Sequence, residues 1–166
     1  MKVSIKLFQK RAGFGGLVGQ SYKDVRRYVD IFSPMIYRNY NPSGSAGPAC
    51  LNHELASIGK HFFSSFDDTH VGVELISSLT GINLQGYRNM DDIKRGLPVS
   101  SLALETRKAK AFMGRNNLLV PIIVLDDHQL DQAIEAVSKE GADGINFFAY
   151  NKEIFQKRMK LLEQTI

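Results

Sequence analysis

The chain has 166 residues, of which 43% are hydrophobic and 23% charged, and its formal net charge is +4. This length and composition are typical of one soluble globular domain that can bury a real core. No apolar run approaches the roughly 20 residues of a membrane-spanning helix, and the first residues lack the apolar stretch of a secretory signal peptide. We therefore predict a single domain over residues 1–166 and no membrane partner.

The positive net charge does not by itself indicate a nucleic-acid-binding protein. Basic residues are dispersed between apolar positions, as on solvated helix faces, and no nucleic-acid-binding motif is present. The one cysteine, Cys50, excludes an internal disulfide and fits the reducing cytoplasm. We expect a cytoplasmic protein that does not bind nucleic acid.

The first third of the chain alternates between strand-like and helix-like segments. Residues 3–8 alternate in polarity and predict a strand, and the glycine-rich residues 11–20 predict a loop. A short helix is predicted over residues 21–29, a second strand over 30–37 and a helix over 50–66.

Local signals refine these segments. Ser21 is a suitable N-cap for the first helix, and Ser100 or Ser101 is a suitable N-cap for a later one. Pro34 lacks an N–H donor, so we expect a bulge or irregular pairing in the second strand.

Residues 67–97 form an irregular insertion. Its first part, THVGVELISSLTG, is compatible with a strand or a helix, and the spacing of Val71, Leu75, Ile76 and Leu79 favours the helix. The rest predicts a loop with a short helical turn.

The last third resumes the alternation. Helices are predicted over residues 100–114, 128–142 and 152–166, with strands over 118–125 and 144–150 between them. Continuous apolar strands separated by helices indicate an α/β fold with a parallel sheet, either doubly wound or of the (β/α)8-barrel type. The glycines of residues 13–19 lie too far from a strand end for a dinucleotide-binding loop, and no motif predicts a cofactor or a metal site.

Polar and aromatic side chains follow all four predicted strands. In parallel α/β folds the C-terminal strand ends converge and form the ligand site. These side chains, with Lys6 inside the first strand, are Gln9, Lys10, Tyr37, Arg38, Asn39, Tyr40, Asp126, Asp127, His128, Tyr150, Asn151 and Lys152. Aromatic faces, amides and carboxylates in one place suit a polyhydroxylated ligand.

Structural roles compete with this interpretation. Polar residues follow strands simply because loops are solvated, and either Asp126 or Asp127 is well placed to cap the helix that starts near His128. His128 alone is typical of a surface residue. Asp30 lies at the opposite end of its strand, so we assign it no chemistry.

The segments VGQSYKDVRRYVDIFSPMIYRNYNPSG (18–44), LLVPIIVLDD (118–127) and GADGINFFAYN (141–151) resemble glycosidase-like (β/α)8-barrel proteins. YVDIFSPMIY carries most of this resemblance, which covers about half of the chain. It implies that the four strands are the fifth to eighth of a barrel, and that Tyr37, Asp126 and Asp127 line a sugar cleft. The insertion is long for that family, and the first half of the barrel is absent.

A complete barrel needs about 200 residues, so four strands would form an incomplete or half barrel with two open edges. A second copy, a separate chain carrying the missing half, or the insertion would have to cover them. Hydrolysis of a glycoside also needs two carboxyl groups about 5–10 Å apart, whereas neighbouring residues on a strand point to opposite faces. Asp126 and Asp127 can therefore act together only beyond the strand end, and Glu74 or Glu105 is an alternative second carboxyl.

Three functions follow as hypotheses. The first is a glycoside hydrolase-like chain or fragment, in which Asp126 and Asp127 are catalytic. The second is a non-catalytic sugar- or metabolite-binding or assembly module. In both, the candidate ligand-binding residues are Lys6, Tyr37, Arg38, Asn39, Tyr150 and Asn151. The third is a different barrel enzyme in which Lys6 forms a Schiff base.

Overall fold

The computed structural model describes residues 4–7, 21–38, 51–62, 70–148 and 152–163. Within them it shows a mixed α/β structure with small parallel sheets. The predicted glycine-rich loop 11–20, the single cysteine Cys50 and the candidate residues Asn39, Tyr150 and Asn151 lie outside the described residues.

Five short strands form the sheets: β1 (Ser4–Leu7), β2 (Ile31–Pro34), β3 (Leu118–Leu119), β4 (Ile122–Val124) and β5 (Asn146–Phe148). The first sheet has the order β1-β2-β3 and the second pairs β4 with β5, and every pairing is parallel. A parallel bridge between Met35 and Ile122 connects the two sheets. The prediction of parallel pairing is therefore confirmed.

The predicted strand 118–125 is interrupted, and the two parts pair with different neighbours. Val120 donates its N–H to the carbonyl of Phe32, at 2.8 Å, whereas the carbonyl of Pro121 accepts from Asn146, at 2.9 Å. The peptide groups of Pro121 face the β5 side, where this residue accepts a hydrogen bond through its carbonyl but has no N–H to donate. A second proline, Pro34, ends β2, and beyond it the ladder continues only as the bridge at Met35. Irregular pairing near Pro34 was expected from its missing donor.

Seven helices complete the described structure: α1 (Tyr22–Val25), α2 (Leu51–Phe62), α3 (His70–Thr80), α4 (Met90–Arg95), α5 (Ser100–Phe112), α6 (Leu130–Lys139) and α7 (Lys152–Glu163). Both the helix and the helical turn expected in the insertion are present, as α3 and α4. Helix α1 is shorter than predicted. None of the helices in the described part of the chain is long and apolar enough to cross a membrane.

The capping predictions had different outcomes. The Ser21 hydroxyl accepts a hydrogen bond from the backbone N–H of Asp24, at 3.4 Å, which confirms it as the N-cap of α1. The N-cap of α5 is instead Val99, so the prediction of Ser100 or Ser101 was wrong. A turn in which Ser101 donates its N–H to the carbonyl of Pro98, at 2.9 Å, already leads into the helix, which places both serines in its first turn.

Three hydrophobic clusters stabilise the fold. Two lie between the sheets and their helices and are centred on Phe32 and Ile123. The third belongs largely to the insertion, which we define as residues 67–97. Its buried members are Leu55, Ala56, Val73, Ile76, Ile82, Leu84, Met90, Ile93 and Leu97. The insertion therefore contributes most of a separate hydrophobic core, and α2 contributes the rest.

Helix α3 buries only one, Ile76, of the four apolar residues whose spacing predicts the helix. Gly72, Val73, Ile76 and Thr80 are its buried residues. Val71 and Leu75 are partly exposed, and Leu79 is 74% exposed. The helix carries apolar side chains on both faces, and only contact with α2 and α4 decides which face is buried.

Candidate functional site

An open cavity of about 640 Å³ lies beyond the C-terminal ends of β2 and β4. Three segments form it: Arg38, which follows β2, the later part of the insertion with Pro98, and the residues that follow β4. Its lining residues are Arg38, Gln85, Gly86, Tyr87, Arg88, Asp92, Arg95, Gly96, Leu97, Pro98, His128 and Gln129. This is the end of a parallel sheet at which α/β proteins bind their ligands.

Arg38 connects all three segments. Its Nε donates to Oδ2 of Asp127, at 2.7 Å, and its Nη2 donates to Oδ1 of the same carboxylate, at 2.6 Å. Nη1 donates to the carbonyl of Leu97, at 2.5 Å, and Nη2 also reaches Oε1 of Gln129, at 2.9 Å. Only 4% of Arg38 is exposed, so this network holds the base of the cavity together.

Both oxygens of the Asp127 carboxylate belong to this hydrogen-bond network. Both carboxylate oxygens accept from Arg38, and Oδ1 also accepts the backbone N–H of Gln129, at 2.9 Å. Its own carbonyl accepts from Leu130, the first residue of α6, at 3.1 Å. Asp127 thus stabilises the turn that precedes α6, whereas the N-cap of the helix is Gln129 without a side-chain hydrogen bond, so the predicted aspartate cap is not formed. Asp127 is 6% exposed.

The insertion is joined to the strand ends by both main chain and side chain. The backbone N–H of Leu97 donates to the carbonyl of Arg38, at 3.3 Å, while the carbonyl of Leu97 accepts from the Arg38 guanidinium. Leu97 also belongs to the hydrophobic core of the insertion. One wall of the cavity is therefore fixed to the sheet.

A tight turn over residues 84–87 forms another part of the cavity wall that the insertion contributes. The backbone N–H of Tyr87 donates to the carbonyl of Leu84, at 3.0 Å, and Gly86 adopts a φ of 91°, which favours glycine. The Tyr87 hydroxyl donates to the carbonyl of Gly96, at 2.9 Å. Burial raises the pKa of the Tyr87 phenol, Arg38 opposes this shift, and Asp92 adds to it. The phenol is therefore protonated at neutral pH.

The Asp92 carboxylate accepts hydrogen bonds from two of the arginine residues that line the cavity. Its Oδ2 accepts the backbone N–H of Arg88, at 2.8 Å, and its Oδ1 accepts from Nη1 of Arg95, at 2.7 Å. Asn89 caps α4 by accepting from the N–H of Asp92, at 3.0 Å, which fixes the backbone of Asp92. The Arg88 guanidinium makes no ion pair or hydrogen bond with the residues that the structure describes.

The catalytic candidates fall in different surroundings. Asp127 lies behind Arg38, whereas its neighbour Asp126 is exposed and is not among the described residues that line the cavity. Glu74 is exposed on α3 and pairs with His70, at 3.0 Å. Glu105 is buried on α5, where one oxygen lies 3.3 Å from Nζ of Lys108. The carboxylates weighed as a catalytic pair are thus not gathered at the cavity.

The ligand-binding candidates are also only partly gathered. Arg38 lines the cavity, but Tyr37 is 4% exposed and its ring lies 5.4 Å from that of Phe148, in the core. Lys6 is paired with Ser33 through the β1–β2 ladder, and the structure does not describe its side chain. Asn39, Tyr150 and Asn151 lie outside the described residues.

Sequence reasoning missed the residues of the insertion that line the cavity, among them Gln85, Tyr87, Arg88 and Arg95. The available signal was the polar turn QGYR followed by RGLP, two glycine-containing turns that carry arginines. That signal predicts the two turns, but it does not predict that they lie next to the C-terminal ends of β2 and β4.

No family model matches this sequence, and no curated protein or solved structure matches it either. Within the described part of the chain, no group of three or more His, Cys, Asp or Glu side chains is arranged to hold a metal ion.

Proposed function

We propose that the chain is a (β/α) module that binds a polar, carbohydrate-like ligand in the cavity beyond β2 and β4, and that it is not a hydrolase by itself. One observation carries this proposal. The two carboxylates at the cavity, Asp92 in its lining and Asp127 behind Arg38, are each held by an arginine.

Hydrolysis of a glycoside requires a protonated acid and a second carboxylate that acts as nucleophile or base. Asp127 already accepts three hydrogen bonds in a buried position, and Asp92 accepts from the main chain and from Arg95. Binding needs neither carboxylate to be free. Amides, a phenol and arginines around a cavity of this size suit a ligand that presents many hydroxyl groups.

The glycosidase-like half barrel is the architecture that we propose for this module. Within each sheet, β1-β2-β3 and β4-β5, the strands pair in chain order and in parallel, as they do in (β/α)8 barrels. The resemblance of YVDIFSPMIY to glycosidase-like barrels supports the same architecture. A hydrolase assembled from two halves would obtain its missing carboxyl group from the other half.

Ligand binding without turnover is the expected result for the isolated chain. We expect measurable heat of binding, by isothermal titration calorimetry, with at least one member of a panel of sugars, oligosaccharides and aryl glycosides. We expect no release of the aryl group. Tyr87→Ala should weaken binding because it removes a wall of the cavity, whereas Tyr28→Ala, at a 65% exposed site outside it, should not. Turnover by the wild-type chain that is lost in Asp126→Asn would favour the hydrolase instead.

Association with a second chain is a further expectation. Among the described residues, β1 and β5 each have one edge without a partner strand, and open edges favour pairing with another chain. We propose that a second copy or a chain carrying the missing half covers them. Sedimentation velocity over a concentration series should show a dimer or a larger species. A monomer at every concentration would contradict association with a second copy, and would leave the insertion or a different chain to cover the edges.

A further inference from the structure

We propose that the ligand of this cavity carries an anionic oxygen group, a phosphate or a carboxylate, and that Arg88 and Arg95 bind it. This inference rests on the proposed function and adds the chemical class of the ligand. It follows from the charges that face the cavity and from the way they are held.

Positive charge exceeds negative charge at the cavity. Three arginines line it, whereas Asp92 is the one carboxylate among its described lining residues. The charge of Arg38 is balanced by Asp127 behind it. Arg88 and Arg95 therefore face the single charge of Asp92.

The two arginines are anchored through one carboxylate. Asp92 accepts the main-chain N–H of Arg88 on one oxygen and the guanidinium of Arg95 on the other. This arrangement fixes the backbone from which the Arg88 side chain extends, and it leaves the Arg88 guanidinium without a partner among the described residues. The Arg95 side chain, held by Asp92, loses less conformational entropy when it binds a ligand, whereas the Arg88 guanidinium keeps all its donors for one.

An anionic oxygen group matches these donors. A guanidinium presents parallel N–H groups that fit a phosphate or a carboxylate with two hydrogen bonds, and such charge-assisted bonds are stronger than those to neutral hydroxyls. A neutral sugar would leave the charge of Arg88 unmatched. The cavity of about 640 Å³ has room for a monosaccharide bearing such a group.

Calorimetric titration with three matched probes tests this inference: glucose, glucose 6-phosphate and glucuronate. We expect one or both charged sugars to bind more tightly than glucose, and more weakly as salt is added, because added ions screen the attraction. Arg88→Gln should weaken binding of the charged sugar roughly 10- to 100-fold and weaken any binding of glucose much less. Arg115→Gln removes an exposed arginine outside the cavity and should change neither.

The probes also separate the two sources of the anionic group. Preference for glucose 6-phosphate assigns a phosphate ester, and preference for glucuronate assigns a sugar acid. If glucose and both charged sugars bind equally, and Arg88→Gln has no effect, the anionic class is wrong while carbohydrate binding stands. If none of the three probes and no member of the wider sugar panel binds, the proposed function fails, and this inference fails with it.

Discussion

Replacing Asp127 with asparagine is expected to destabilise the protein by about 3–5 kcal/mol, because it leaves the buried Arg38 guanidinium without its counter-charge. Arg38 is 4% exposed and Asp127 is 6% exposed, so solvent compensates little for the lost counter-charge. The amide side chain of the Asp127→Asn protein would keep an oxygen for the Gln129 N–H, but its NH₂ group would face the donors of Arg38. The free energy of unfolding from urea denaturation, followed by circular dichroism, measures this effect.

Asp126→Asn is the matched control for that experiment. Asp126 is the adjacent acid and is exposed, so this change should alter stability by no more than about 0.5 kcal/mol. Arg38→Met combined with Asp127→Leu should cost less than the sum of the two single changes, because neither charge is then left buried alone. A normally stable Asp127→Asn protein that has lost a measurable glycosidase activity would contradict the structural role of Asp127.

Ile93→Ala should lower the free energy of unfolding by about 2–5 kcal/mol, the usual cost of a cavity in a packed core. Ile93 is fully buried in α4 and packs in the hydrophobic core of the insertion, where α2, α3 and α4 meet. Leu97 belongs to the same core and forms part of the cavity wall. Urea denaturation gives the stability, and we expect ligand binding to weaken together with it.

Leu79→Ala provides the comparison for Ile93→Ala. Leu79 is 74% exposed on α3, so its truncation should change the free energy of unfolding by less than about 0.5 kcal/mol. If Ile93→Ala were equally mild, the insertion would not be an integral part of the fold, and the cavity wall that it forms would not be stable. A large effect of Leu79→Ala would instead show that its side of α3 is covered in solution.

The class of fold could be predicted because it depends on patterns that are local in sequence. The apolar segments around Phe32 and Ile123 are flanked by amphipathic helices, which is sufficient to predict parallel pairing. Ser21 could be identified as a cap from its position alone. Pro121 is also a local signal, because a missing N–H within a strand interrupts the ladder. The prediction of one continuous strand over residues 118–125 did not take it into account.

The site was harder to predict because its contacts are distant in sequence. Arg38 and Asp127 are 89 positions apart, and Arg38 and Leu97 are 59 apart, so no spacing rule links them. Arg38 and Asp127 each follow a strand, and this position predicts that they lie at the same end of the sheet, where they are in contact. Their proximity, however, turns a proposed catalyst and a proposed ligand-binding residue into partners of each other.

The face that α3 buries illustrates a second reason. Val71, Leu75 and Leu79 form an apolar stripe as regular as the one that includes Val73 and Ile76. Periodicity shows that such a helix is amphipathic or largely apolar, but the choice between two apolar faces depends on which neighbours are present. Those neighbours, α2 and α4, are set by the path of the insertion.

The most direct measurement of the central claim, that the cavity beyond β2 and β4 is the ligand site, is a map of ligand-induced amide shifts. Uniformly ¹⁵N-labelled wild-type protein would be titrated with glucose 6-phosphate and, separately, with glucose. We expect the largest shifts at Gln85, Gly86, Arg88, Gly96, Leu97 and Gln129, which come from two distant parts of the chain and meet at the cavity. Shifts confined to residues elsewhere, such as the exposed side of α3, or the absence of shifts with both sugars and with the wider sugar panel, would contradict the claim.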